Sequence, residues 1–298
     1  LTNALNRLSP DIVVLLGDRY EALAAAQSAM ILGIPIAHIH GGEATEGLID
    51  EAIRHSITKM SHLHLVAAPQ FRDRVIQLGE DPAHVHVVGA AGLDNIAALE
   101  IVDRDILSSD LGLPLLEPLL AVTYHPVTLE RADGRGVAPL LSALDQMVGT
   151  TIVFTGNNAD AYGGGIDTQI SDFCARNAAR AVHVASLGFQ RYLSLVAQAD
   201  AVVGNSSSGL LEAPSLGVPT VNIGIRQQGR PRAPSVIDCE NDVEEITAAI
   251  RTAFSPGHKA LTRRRENPNG TSGAAHRMVS LIASADLNGL LIKRFHTL

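Results

Sequence analysis

Ala201-Val202-Val203-Gly204-Asn205-Ser206-Ser207-Ser208-Gly209, running on into Leu210-Leu211-Glu212-Ala213, decides how this chain is read. An apolar, β-branched run ends in a Gly/Ser loop that opens a helical pattern. Such a corner is an anion site, because free backbone N–H groups and the positive end of the helix dipole point at whatever sits there. Three serine hydroxyls add donors suited to phosphate oxygens, where an ordinary helix cap needs only one. Glu212, one turn in, is placed to accept from vicinal hydroxyls such as a ribose offers. The stretch points to a bound nucleoside diphosphate, with Ser206, Ser207, Gly209 and Glu212 as its contacts.

The same strand-to-helix corner recurs outward from this point. Short apolar runs occupy 11–16, 34–39, 63–67, 85–88, 119–123, 151–154, 181–184, 201–203 and 220–223. Amphipathic helical patterns lie between them at 19–32, 49–60, 70–78, 138–147, 168–176 and 189–197. Strands apolar on both faces belong in a parallel sheet covered by helices. Repeated strand–helix units predict a doubly wound α/β architecture. The segment 100–118, with mixed charge, Gly112, Pro114 and Pro118, reads as a linker between a domain over 1–105 and a second over 119–298. The last helical pattern, 273–284, is expected to cross back onto the first domain. Residues 2–9 read as the tail of a helix feeding the first strand, so the sequence is expected to open inside a domain.

The 298 residues are 46% hydrophobic and 18% charged, a globular composition. A formal net charge of -8 argues against a nucleic-acid partner, which would need a basic face. Cys174 and Cys239 form no metal-type pair, consistent with a reducing cytoplasm without disulfides. The stretch 22–42 carries no formal charge, but Gly33 and Pro35 interrupt it. It reads as helix, turn and buried strand, and no membrane segment or signal peptide is expected.

In open parallel sheets, ligands sit beyond the carboxyl ends of strands. The candidate polar residues fall there: Asp18 and Arg19, then His40 to Glu43, then His125, Asn157 and the serine loop. Two domains facing each other would gather them on one cleft. Asp50 and Arg54 lie four apart on one helical pattern and share a face. As a surface pair they would contribute little. With Asp18 and Glu43 at the same rim, they become candidates for acid–base work, since neighbouring carboxylates separate their pKa values. Pro126 restricts His125 to an extended conformation, from which its ring could protonate a departing phosphate. Arg226 and Arg230, in a Gly-flanked loop after 220–223, suit phosphate oxygens bidentately. The histidine pairs 38/40, 62/64 and 84/86 lack the third and fourth ligands that a metal needs, so no metal site is expected.

Together, Gly17-Asp18-Arg19, Gly41-Gly42-Glu43, Asp50-Glu51-Ala52-Ile53-Arg54-His55, His125-Pro126-Val127-Thr128, Gly204 to Glu212 and Asn222 to Arg230 resemble the UDP-N-acetylglucosamine 2-epimerase family. The likeness is to its hydrolysing branch, which feeds sialic-acid-type sugars of bacterial surface polysaccharides and carries His-Pro-Val-Thr. The resemblance implies a GT-B-like arrangement of two Rossmann-like domains, the first lacking its opening βα units relative to the family pattern. It implies a cytoplasmic homo-oligomer that needs no cofactor. It assigns UDP to Arg19, Asn157, Tyr192, Ser206, Ser207, Gly209, Glu212, Arg226 and Arg230, and catalysis to Asp18, Glu43, Asp50, Arg54 and His125. The implied reaction releases UDP and N-acetylmannosamine, or a diacetamido analogue, by elimination and hydration. Alternatives are a non-hydrolysing 2-epimerase, a GT-B glycosyltransferase and an inactive UDP-sugar-binding remnant.

Overall fold

A computed structural model describes residues 1–45, 48–126, 136–156 and 164–297. The chain divides into two compact units, one made of Leu1–Asp94 and Asn269–Leu298, the other of Asn95–Pro268. The division therefore falls near residues 94 and 268, not within 100–118.

The first unit holds four parallel strands in the order β1 (Val13–Leu16), β2 (Ile36–Ile39), β3 (Leu63–Val66), β4 (Val85–Val87). Helices Tyr20–Ile31 and Ile49–Met60 cover one face through Ala26, Ala29 and Ile57, packed on Leu15 and Ile36. The charge-free stretch is thus a helix, a turn and a buried strand. No helix among the described residues is long and apolar enough to cross a membrane. The other face is covered from far along the chain. Helix Ala274–Ser284 lays Ala274 and Met278 on Leu63, Leu65 and Val88. Asp94 receives its first turn, its carboxylate accepting from the N–H groups of Gly273, Ala274 and Ala275.

The second unit holds six parallel strands in the order β10-β9-β8-β5-β6-β7, with β5 Leu119–Thr123, β6 Thr151–Thr155, β7 Ala181–Val184, β8 Ala201–Gly204, β9 Thr220–Ile223 and β10 Val236–Cys239. The chain winds outward from β5 to β7, then returns to the other side of β5 with β8. The switch point, where ligands bind in such sheets, therefore lies between the carboxyl ends of β5 and β8. Helices Ala138–Gln146, Gly164–Arg176 and Val243–Phe254 cover one face. Helices Arg104–Leu111, Gly188–Gln198 and Ala213–Leu216 cover the other.

Several elements differ from the sequence expectation. The stretch read as a linker folds into helix 104–111, capped by the Asp103 side chain and closed by Gly112 in the left-handed region at φ 63°, with Leu107 and Leu111 buried. Strand β10 and helix 243–254 are additional. The latter is capped by Asp242, whose carboxylate accepts from the Glu244 and Glu245 N–H groups at 2.9 and 3.3 Å. The run after the serine loop is two short helices, Ser208–Leu211 and Ala213–Leu216, broken at Glu212 ahead of Pro214.

Candidate functional site

In the first unit the candidate residues gather beyond β1 and β2. Arg54 is only 1% exposed. Its Nε donates to Asp18 Oδ2 at 2.9 Å, and Nη2 donates to the same oxygen. Nη1 donates to the Glu43 carbonyl at 2.9 Å and to Glu51 Oε2 at 2.7 Å, and Nη2 also donates to Thr45 Oγ1 at 2.7 Å. Five contacts match the five N–H donors of a guanidinium. Burial works most strongly against the charge, but the Asp18, Glu43 and Glu51 carboxylates together outweigh it, and the pKa of Arg54 is raised. Arg54 is thus a buried hub that positions carboxylates. Its salt-bridge partners are Asp18 and Glu51, where the sequence suggested Asp50. Glu51, three residues before Arg54, satisfies the same helix-face rule as Asp50, so the spacing alone could not choose between them. Asp50 sits half-buried in the first turn of helix 49–60.

Glu43 is buried, with Oε1 2.5 Å from His40 Nδ1. His40 has a positive φ of 65°, which turns the chain sharply at the end of β2. His38, inside β2, holds the Gly17 carbonyl through Nε2 at 2.8 Å and meets the Thr58 hydroxyl through Nδ1 at 3.2 Å. It thereby ties the β1 loop to helix 49–60. Arg19 stands apart, exposed and paired with Glu21.

In the second unit a cavity of about 430 Å³ opens at the switch point. Thr123, His125, Thr155, Tyr192, Ser206 and Ser208 line it, together with the loop 185–189. The Thr123 and Thr155 hydroxyls are hydrogen-bonded across β5 and β6. Burial pushes the Tyr192 phenol above its ordinary pKa, and the neighbouring Glu212 carboxylate adds to the effect. Of the predicted nucleotide contacts, Tyr192 and Ser206 therefore line the cavity. Ser207 stands at the N-terminal end of the first short helix. Gly209 follows it packed against Thr220, where an added Cβ would lie 2.6 Å from Cγ2. Arg226 Nη1 donates to the Asn205 carbonyl at 3.1 Å, on the loop after β9 that also carries Arg230. Asn157 and the Val127-Thr128 part of the histidine motif lie outside the described residues.

His125 is 6% exposed, and its Nδ1 has no hydrogen-bond partner among the described residues. Burial, aided by the nearby Arg226 charge, lowers its pKa to about 4. Burial does the same to His38, also to about 4. Both rings are neutral at pH 7. Between the unfolded value near 6.5 and the folded value near 4, the unfolded chain binds more protons. Their contribution is therefore complete above pH 6.5 and is lost as pH falls toward 4. The thermal midpoint should drop over that window, with a slope of up to about 1.4 kcal/mol per pH unit for each ring. His38→Gln should reduce the slope by one ring's share, since His125 and His62, also lowered to about 4 by burial, keep theirs; an unchanged slope would remove His38 from this account. Glu80, held down to about 2, adds a loss of the same sign that begins near the foot of this window and continues below it.

Sequence reading missed Thr45 and Glu51 around Arg54, the threonine pair and the 185–189 loop. Only Glu51 carried a signal, its helical spacing from Arg54. The others are brought in by tertiary packing. Among the described residues no group of three or more His, Cys, Asp or Glu is arranged to hold a metal ion.

Comparison with known proteins adds to this geometry. A Campylobacter jejuni protein named GDP/UDP-N,N'-diacetylbacillosamine 2-epimerase (hydrolyzing) is 40% identical over 246 residues, covering 82% of this chain and 64% of its own length. The Escherichia coli polysialic acid biosynthesis protein P7 is 38% identical over 274 residues, covering 91% and 69%. The chain thus spans about two thirds of the length of these relatives. The crystal structure of UDP-GlcNAc 2-epimerase from Neisseria meningitidis bound to UDP-GlcNAc superposes with a TM-score of 0.83 at 18% identity, over 95% of this chain and 79% of that one. It shares the GT-B-like class of two Rossmann-like α/β units. The family model of UDP-N-acetylglucosamine 2-epimerase runs through residues 1–283, and the chain belongs to that family.

Proposed function

We propose that the protein is a hydrolysing 2-epimerase acting on a UDP-linked 2-acetamido sugar, releasing UDP and the free 2-epimeric sugar. The observation that carries this reading is the cavity at the β5–β8 switch point, where His125, Ser206 and Tyr192 meet. The preference for hydrolysis is supported by the His125-Pro126-Val127-Thr128 sequence. It is also supported by relatives named as hydrolysing enzymes, that of Campylobacter jejuni and one of Legionella pneumophila at 35% identity.

The candidate residues of each unit suit different parts of this chemistry. The C2 hydrogen of such a sugar has no adjacent carbonyl to acidify it. Breaking C1–O develops positive charge at C1 and makes C2–H acidic. The second unit supports departure of the diphosphate with donors from Ser206, Ser207 and Arg226. His125, neutral in the empty cavity, donates a hydrogen bond to the leaving oxygens. A bound diphosphate opposes the Arg226 charge and raises the affinity of His125 for a proton. Tyr192 and Glu212 hold the nucleoside. The first unit supplies the base that removes the C2 proton from among Asp18, Glu43 and Asp50. Water then adds to the glycal to give the manno configuration.

Turnover of UDP-N-acetylglucosamine and of its diacetamido relative by the full-length protein in labelled water tests the reading. UDP and free sugar should appear, with solvent deuterium at C2 and solvent oxygen at C1. A UDP-linked manno sugar as sole product would place the enzyme in the non-hydrolysing group. Transfer to an added acceptor would make it a glycosyltransferase. Asp50→Asn should lower turnover by about a hundredfold, the usual scale for losing an acid–base group, while leaving UDP affinity near its original value in calorimetry. Near-normal turnover would remove Asp50 from the chemistry.

A further inference from the structure

We infer that Asn205 is a positioning residue that fixes His125 and Arg226 to one another, an inference that rests on the functional reading above. Asn205 follows β8 directly and is 1% exposed. Every polar group it has is engaged. Its N–H donates to the Thr123 carbonyl at 3.2 Å. Its side-chain Oδ1 accepts from the His125 N–H at 2.7 Å, and Nδ2 donates to the His125 carbonyl at 2.8 Å. Its own carbonyl accepts from Arg226 Nη1 at 3.1 Å and from Gln227 Nε2 at 2.8 Å.

The paired ladder of β5 and β8 ends at Thr123 and Gly204. Beyond that point the His125 peptide groups have no strand to bond to, and buried peptide groups left unpaired are costly. The Asn205 amide takes the place of a peptide and adds one more rung. A carboxylate of the same shape could accept from the His125 N–H but would meet its carbonyl oxygen with a second acceptor. A serine is too short to reach both groups. The same residue then carries the Arg226 guanidinium on its carbonyl. The ring that faces the leaving group and the cation on the phosphate side thus hang from a single buried side chain and its backbone.

The test is a double-mutant cycle on turnover, with Asn205→Ser and His125→Ala alone and combined, plus an NMR titration of the His125 ring. Asn205→Ser should lower kcat about tenfold or more while changing KM little, and its effect should vanish in the His125→Ala background. In the same variant the His125 ring, released into solvent beside Arg226, should titrate closer to the ordinary histidine value of about 6.5. Asn205→Asp should not restore kcat. An equal loss of kcat in both backgrounds, or an unmoved His125 titration, would overturn the positioning role. Full turnover in His125→Ala would overturn the catalytic reading of His125 instead, and the titration alone would then decide whether Asn205 holds the ring.

Discussion

Arg54→Met is expected to destabilise the first unit by about 3–5 kcal/mol, the scale for removing one member of a buried ion network. Methionine replaces the volume of the stem but none of its donors. Asp18 and Glu51 would keep their charge without the Arg54 cation, Glu51 holding only His55, and Thr45 and the Glu43 carbonyl would lose the Arg54 donor. A typical domain is stable by only about 5–15 kcal/mol, so much of the margin would go. Arg54→Lys should rescue little, since a point charge cannot serve four acceptors arranged for a fork. Chemical denaturation followed by probes placed in each unit checks this. Loss of less than about 1 kcal/mol would mean that the network is solvated and weak, in the manner of surface pairs.

Gly204→Ala should be comparably damaging in the second unit, at about 3 kcal/mol or more. The backbone there has φ 136°, a region that side chains rarely enter, and an added Cβ would overlap the Thr123 carbonyl oxygen. Strain of this kind costs about 1–3 kcal/mol, and steric overlap with fixed backbone adds a similar amount. Relief would require β8 to move away from β5 at its carboxyl end, where the cavity opens. UDP affinity should therefore fall together with stability, unlike the Asn205→Ser variant. A folded Gly204→Ala protein with unchanged UDP affinity in calorimetry would show that the close β5–β8 approach is dispensable.

The alternation of strands and helices was legible because buried parallel strands are apolar on both faces and stand out as short runs. Nine of the ten strands among the described residues are anticipated in this way. Strand β10 is not, because it is an edge strand with Asp238 at its centre, and half-exposed residues blur the pattern. Helix 243–254 carried its signal in Ile246, Ala249, Ile250 and Ala253, all buried. The 100–118 segment misled because its two prolines follow the helix, and Asp103 and Gly112 mark the ends of an element as readily as they mark a loop. For the site, strand ends were the right place to look, since topology fixes them. What the sequence could not disclose was which neighbours a buried group chooses. Arg54 bonds to Asp18, 36 residues away, and Asn205 to His125, 80 residues away. Such choices are made by tertiary packing, and no local spacing encodes them.

The capping of helix 274–284 by Asp94 has a bearing on how the molecule is made. Gly273 lies 179 residues beyond Asp94. A ribosome needs on the order of ten seconds or more to deliver that length of chain. All of Asn95–Pro268 emerges within that interval as one contiguous stretch able to close on itself. The earlier-born sheet must meanwhile wait with Leu63, Leu65 and Val88 uncovered. The order of birth and the order of completion are thus reversed. The nascent chain is most exposed to capture by chaperones or to aggregation through the earlier-synthesised of the two units.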